Sequence, residues 1–342
     1  MLDGEDKYKM FRLKNKEFTF DVDLSSLPCG MNAALYFIEM DEHGDRNGLN
    51  PGGAKYGTGY CDAQCPHMRF IRGEANLLGW EKSHWAVNPD GQNMTGGHEG
   101  RYGYCCAEMD ILEANREAGV FTAHPCTEQE QAICEGKEQC GDRGEGITGY
   151  CDKDGCGFSS YRMGDEKFWG AGQEFAVDTT KPMTIVTQFV TSDNTDAGDL
   201  VDIRRIYIQD GKVVKNSEAN VLPGGGDSIT DAMCSEQNRV FNESSFGFKD
   251  AGGLKAMGEA LSRGMVLSMS IWDDDFGRML WLDGEKNSFD QDPSTPGIRR
   301  GPCAFSYGTH EDEVEYAEEH GAMSVTFTNV RYGDMHSTYS LI

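Results

Sequence analysis

The chain has 342 residues, and 57 acidic against 31 basic side chains leave a net charge of −26. That balance excludes nucleic acid, whose phosphates need Lys and Arg, and an anionic membrane surface, and it fits a neutral ligand such as a carbohydrate. A hydrophobic content of 38% excludes disorder, and no apolar run is long enough for a transmembrane helix.

Residues 1–20 contain no apolar core of the kind a secretory leader needs. In EFTFDVDL, Phe18, Phe20, Val22 and Leu24 fall at every second position, which predicts a half-buried strand. Further strands rich in β-branched and aromatic residues are predicted over 35–38, 184–190, 265–271 and 323–330. Segments 203–208 and 212–214 flank Asp210-Gly211, a hairpin signal, and the run 279–282 precedes a second Asp-Gly pair and reads the same way. Helical periodicity is scarce, with 254–261 its best short instance, and the acidic cluster 311–319 reads as a solvated loop. Strands that recur without alternating helices predict one antiparallel β-sandwich domain over 1–342, with 43 glycines serving turns and long loops over one face.

Twelve cysteines, an even number with no CxxC pair, predict disulfides and an oxidising compartment rather than zinc. On a strand the adjacent Cys105 and Cys106 point to opposite faces, so they are expected to bond two different partners, which Cys61 and Cys65 can supply. The triplets at Asn93 and Asn242 are glycosylation sequons and fit secretion, although such short patterns also arise by chance.

Residues 104–116 read YCCAEMDILEANR and carry three carboxylates. On a strand Glu108 and Asp110 share a face, while Glu113 has the wrong parity unless one residue is bulged. With a bulge, three acids line one side of a sheet, and their repulsion raises at least one pKa. Retaining glycosidases need this arrangement, with one carboxylate to attack the anomeric carbon and a protonated one to release the leaving oxygen. The spacing alone fits equally an acidic strand edge facing solvent or calcium.

The surroundings of these acids narrow the choice. EMDILEANR, preceded by Cys105-Cys106 and followed by His124-Pro125-Cys126, resembles glycoside hydrolase family 7, the secreted cellobiohydrolases and endoglucanases. LPCGMNAALYF, GAKYGTGYCDAQCP, DTTKPMTIVTQF, GMVLSMSIWDDD, MLWLD and STPGIRRGPC extend the resemblance in order over nearly the whole chain. It implies a concanavalin-like β-jelly-roll sandwich and retaining hydrolysis of β-1,4-glucan, without metal or organic cofactor, by a secreted monomer acting on cellulose or cello-oligosaccharide. By matching positions, Glu108 is the expected nucleophile, Glu113 the acid/base and Asp110 the residue that bonds the nucleophile. His124 is expected beside the acid/base. Trp272 and Trp281 match sugar-stacking positions on either side of the cleavage point, and aromatic faces suit the C–H face of glucose. Tyr36, Tyr60, Asp62 and Gln64 match hydroxyl-binding positions near the scissile bond, and Asp154, Arg300 and, less closely, Arg143 match product-side contacts.

The resemblance also implies six bridges: Cys29–Cys303, Cys61–Cys106, Cys65–Cys105, Cys126–Cys151, Cys134–Cys140 and Cys156–Cys234. Three departures stand out. Leu112 replaces a common Trp, Lys286 stands where several members have Tyr, and family members carry a further segment before EFTFDVDL, which implies an N-terminally truncated chain. No carbohydrate-binding module is read in 1–342. Long segments between Trp80 and Cys105 and between Cys140 and Cys151 predict loops arching over the cleft, as a cellobiohydrolase requires. An open-groove endoglucanase and a non-catalytic lectin on the same sandwich remain the alternatives.

Overall fold

The computed structural model describes residues 1–79, 81–82, 88–91, 98–142, 149–243 and 247–340. Two six-stranded sheets face each other across the core. In chain order the strands that build them are β1 (Met10–Phe11), β2 (Lys16–Asp23), β3 (Met31–Ile38), β4 (Glu108–Ala114), β5 (Gly119–His124) and β6 (Cys156–Ser159). They continue with β7 (Met183–Thr191), β8 (Leu200–Gln209), β9 (Lys212–Lys215), β10 (Ser228–Ile229), β11 (Met265–Asp273) and β12 (Thr326–Asp334). One sheet runs β1-β11-β3-β4-β5-β6, and the other runs β9-β8-β7-β2-β12 with β10 also on β8. Their strand pairs are antiparallel, as the alternation predicts.

Phe18, Phe20, Val22 and Leu24 are all buried between the sheets, so the period-two reading of EFTFDVDL holds. The opposite face of β2 is covered too. Glu17 and Thr19 are fully buried, bonded to Gln188 and to Thr338 near the end of the chain. The hairpin at Asp210-Gly211 joins β8 to β9, with both turn residues at positive φ, as a type I′ turn demands.

Helices α1 (Asp231–Phe241) and α2 (Gly253–Arg263) connect β10 to β11, and α2 contains the predicted 254–261. Two expectations are corrected. Residues 279–282 form no strand: Met279 takes φ 53°, and α3 (Leu280–Asp283) is a single helical turn. Four contiguous apolar residues cannot distinguish a strand from one buried helical turn. The acidic cluster 311–319 is helix α4 (His310–His320), started by a capping box in which Thr309 and Asp312 each bond the other's backbone N–H.

All six expected disulfides are present. Cys105 and Cys106 bond Cys65 and Cys61, which ties the entry of β4 to the 61–65 segment from both faces. Of the two sequons, Asn93 and Ser244 lie outside the described residues. Among the described residues no helix is long and apolar enough to cross a membrane.

Candidate active site

The three acids meet because β4 is irregular where the spacing requires it. On β3, Tyr36 pairs with Asp110 and Leu35 with Leu112, so Ile111 has no partner. On β5, Thr122 pairs with Asp110 and Val120 with Glu113. Ile111 is thus the extra residue of a β-bulge, and it sends both Ile111 and Leu112 into the core. Glu113 returns to the face of Glu108 and Asp110, and all three line a cleft of about 830 Å³.

Each acid has a different support. Glu108 Oε2 accepts the Ala63 N–H at 3.0 Å. Asp110 Oδ2 lies 3.0 Å from His124 Nε2, and His124 Nδ1 donates to the Asp152 carbonyl at 2.9 Å. Glu113 Oε1 accepts from Asn32 Nδ2 at 3.0 Å. Burial, then the neighbouring Asp110, pushes Glu113 up to about 8. Burial, Asp110 and Asp62 likewise hold Glu108 well above the usual carboxylate range. Burial opposes the charge of His124, but Asp110, Glu108 and Asp152 outweigh it and raise the imidazole to about 10. The cleft therefore holds a charged His124 near two carboxyls, Glu108 and Glu113, whose ionisation burial opposes.

The remaining expected residues gather around this group. The Tyr36 and Tyr60 hydroxyls lie 3.1 Å apart. Asp62 accepts the Gln64 N–H at 2.8 Å, and the Gln64 side chain donates to the Lys153 carbonyl at 2.7 Å. Trp272, at the end of β11, and Trp281, on α3, have ring centroids 6.2 Å apart and planes inclined by 29°. They form one continuous aromatic wall that lines the cleft. Asp154 and Arg300 line the same cleft. Arg143 lies outside the described residues.

Several residues of the site were not anticipated. Asn32 is fully buried and holds Glu113, and its parity with Tyr36 on β3 was the available signal. Arg162 is bonded to Glu243, whose carboxylate is 3.7 Å from Arg300, so two guanidiniums share one carboxylate. Lys153 and Asn287 also face the cleft, and no sequence pattern set them apart from ordinary loop residues.

The profile of glycosyl hydrolase family 7 matches residues 1–339. A family 7 cellobiohydrolase from Daphnia pulex superposes with a TM-score of 0.87 at 46% identity, over 98% of this chain and 74% of its own. The Humicola insolens endocellulase EGI gives 0.79 at 39%, over 98% and 72%. The cellobiohydrolase of Melanocarpus albomyces, solved with cellotetraose, gives 0.83 at 36%, over 99% and 74%. With a jelly-roll sandwich, a bulged carboxylate strand and a family match along its length, the chain belongs to glycosyl hydrolase family 7 and is a retaining glycoside hydrolase of the cellulase type.

Proposed function

We propose that the protein is a secreted, monomeric cellobiohydrolase that keeps a cellulose chain enclosed while it releases cellobiose. Glu108 attacks the anomeric carbon and forms a glycosyl ester, while Glu113 gives its proton to the departing oxygen. Glu113 then takes a proton from water, which opens the ester with overall retention. Asp110, held by His124, orients Glu108 and shares its proton. Asn32 fixes the Glu113 carboxyl from β3. Trp272 and Trp281 carry sugar rings, and Arg162, Arg300 and Asp154 bind hydroxyls of the leaving product.

One observation favours enclosure over an open groove. The segment that leads into β4 sends its turn at 88–91 across to the side carrying Trp281. Arg278 donates to the Asp90 carboxylate, and the Phe289 N–H donates to the Pro89 carbonyl at 3.1 Å. Residues 80, 83–87, 92–97 and 143–148, which belong to the two expected arching loops, lie outside the described residues.

Product profiles test this reading. Cellobiose should dominate the soluble products from crystalline cellulose. Asp90→Ala together with Arg278→Ala should lower the cellobiose share and speed attack on soluble substituted cellulose by roughly 2- to 5-fold, the scale of losing one partly exposed ion pair. If the unmodified enzyme already collapses the viscosity of soluble substituted cellulose, it is an endoglucanase, as the Humicola homologue is.

A further inference from the structure

We propose that Arg205 is a positioning residue for catalysis: from the opposite sheet it holds the bulge in β4 that turns Glu113 into the cleft. The proposal rests on the acid/base reading of Glu113.

Arg205 lies at an inward position of β8, between the buried Ile203 and Tyr207, and is only 3% exposed. A guanidinium there loses its hydration, which is costly unless something replaces it. Among the described residues no carboxylate lies within 4.0 Å of it as an ion-pair partner, and its Nε has no hydrogen-bond partner. Its Nη2 donates to the carbonyl of Ile111. Its Cζ lies over the Phe121 ring, 4.2 Å from the centroid, and 5.9 Å from the centroid of Tyr207.

Two of these contacts converge on the irregularity. Ile111 is the residue without a register partner on β3. Phe121 is the residue skipped on β5, where pairing jumps from Val120 to Thr122. A bulge breaks the hydrogen-bond ladder on the strand that carries it. Arg205 supplies a donor to that break and a cation to the ring opposite it. Regularising the strand would move Glu113 by one position and turn it into the core, because strand parity is two. Burial lowers the guanidinium only to about 10, so the charge persists at working pH. Lysine cannot replace this group, since stacking and directed donation both need the planar fork.

The test compares two substrates on Arg205→Met, which fills the same slot without charge. One substrate is cellotetraose, whose leaving sugar needs protonation. The other is 2,4-dinitrophenyl cellobioside, whose leaving group does not. We expect kcat on cellotetraose to fall about 10- to 100-fold, the cost of misplacing a catalytic group by about 1 Å. Release of dinitrophenolate in the first turnover should fall less than about threefold, with KM within about twofold, because Glu108 precedes the bulge and stays in place. Equal losses on both substrates, or no loss on either, would overturn the proposal. If Arg205→Met does not accumulate folded, Arg205→Gln carries the same comparison: it should show the same split at smaller size, and equal or absent losses count against the proposal in the same way. Glu113→Gln, run alongside, keeps the two ideas apart. If it shows no difference between the substrates, the acid/base reading fails and this proposal with it; if it shows the difference and the Arg205 variants do not, the role of Arg205 alone is refuted.

Discussion

Glu113 and Glu17 are both carboxylates placed on sandwich strands, and their protons behave oppositely. Glu17, on β2, accepts from Gln188 Nε2 at 2.9 Å, from the Thr338 N–H at 2.8 Å and from the Thr338 hydroxyl at 2.7 Å. Burial works to raise it, but these donors prevail and hold it below the usual carboxylate range. Glu113 has the single donor Asn32, and burial and Asp110 carry it up to about 8. Burial alone therefore does not decide whether a carboxylate keeps its proton; the number of donors aimed at it does. The back of the molecule supplies donors and has a structural anion. The cleft withholds them and has an acid.

The largest expected effect breaks the cleft side. Glu108→Gln should lower turnover on the order of 10⁴-fold or more, since no other group can form the ester. Glu113→Gln should cost about 10²- to 10⁴-fold on cello-oligosaccharide. In the unmodified enzyme kcat/KM should fall above about pH 8, where Glu113 loses its proton, and Glu113→Gln should lack that limb on activated substrates. Wild-type turnover in Glu108→Gln would remove the assignment.

Next comes the structural side. Glu17→Ala strips the acceptor from three buried donor groups and should destabilise by about 2–4 kcal/mol in denaturant titration, with kcat unchanged. The folded-state value of Glu17 lies below the unfolded one. Its charge-dependent contribution is therefore present above about pH 4.5 and lost as pH falls through the folded value, so the difference between Glu17→Ala and the unmodified protein should narrow there. A constant difference down to pH 2 would refute the anion.

The smallest effect sharpens the comparison with an intermediate case. Asp283, buried beside Trp281, receives the Gly30 N–H at 2.9 Å and Asn115 Nδ2 at 2.6 Å, but its Oδ1 has no partner. Two donors only partly offset burial, and the group rises to about 7. The folded state keeps the proton that the unfolded chain has lost, so this group costs stability as pH rises from about 4 to about 7. Asp283→Asn should lack that slope between about pH 4 and about pH 7 in denaturant titration. Parallel curves for the two proteins would contradict it.

Much of the site was legible because strand parity is arithmetic. The three-residue step from Asp110 to Glu113 required one extra residue, and Ile111 is that residue. The same arithmetic applied to DIRRIYIQ would have put Arg205 indoors with Ile203 and Tyr207, but a charged residue did not invite the question. Trp281 lines the cleft although its segment, read as a strand, is a single helical turn. Helix α4 was missed because its charges follow no apolar period, and Val314 is itself 44% exposed. Its signal was local: Thr309 and Asp312 spaced as a capping box.

The bridge from Cys29 to Cys303 closes a span of 274 residues, and that span has a meaning in time. A ribosome adding about 5–20 residues per second needs roughly 14–55 s to bring Cys303 out after Cys29. The other five bridges have both partners by Cys234, so each can form earlier. Throughout that interval Cys29 is a thiol waiting beside completed pairs, open to exchange with any of them. The last bond to become possible is the one that draws the entry of β3 to the loop after Trp281, so the aromatic wall of the cleft is secured only when nearly the whole chain has been made.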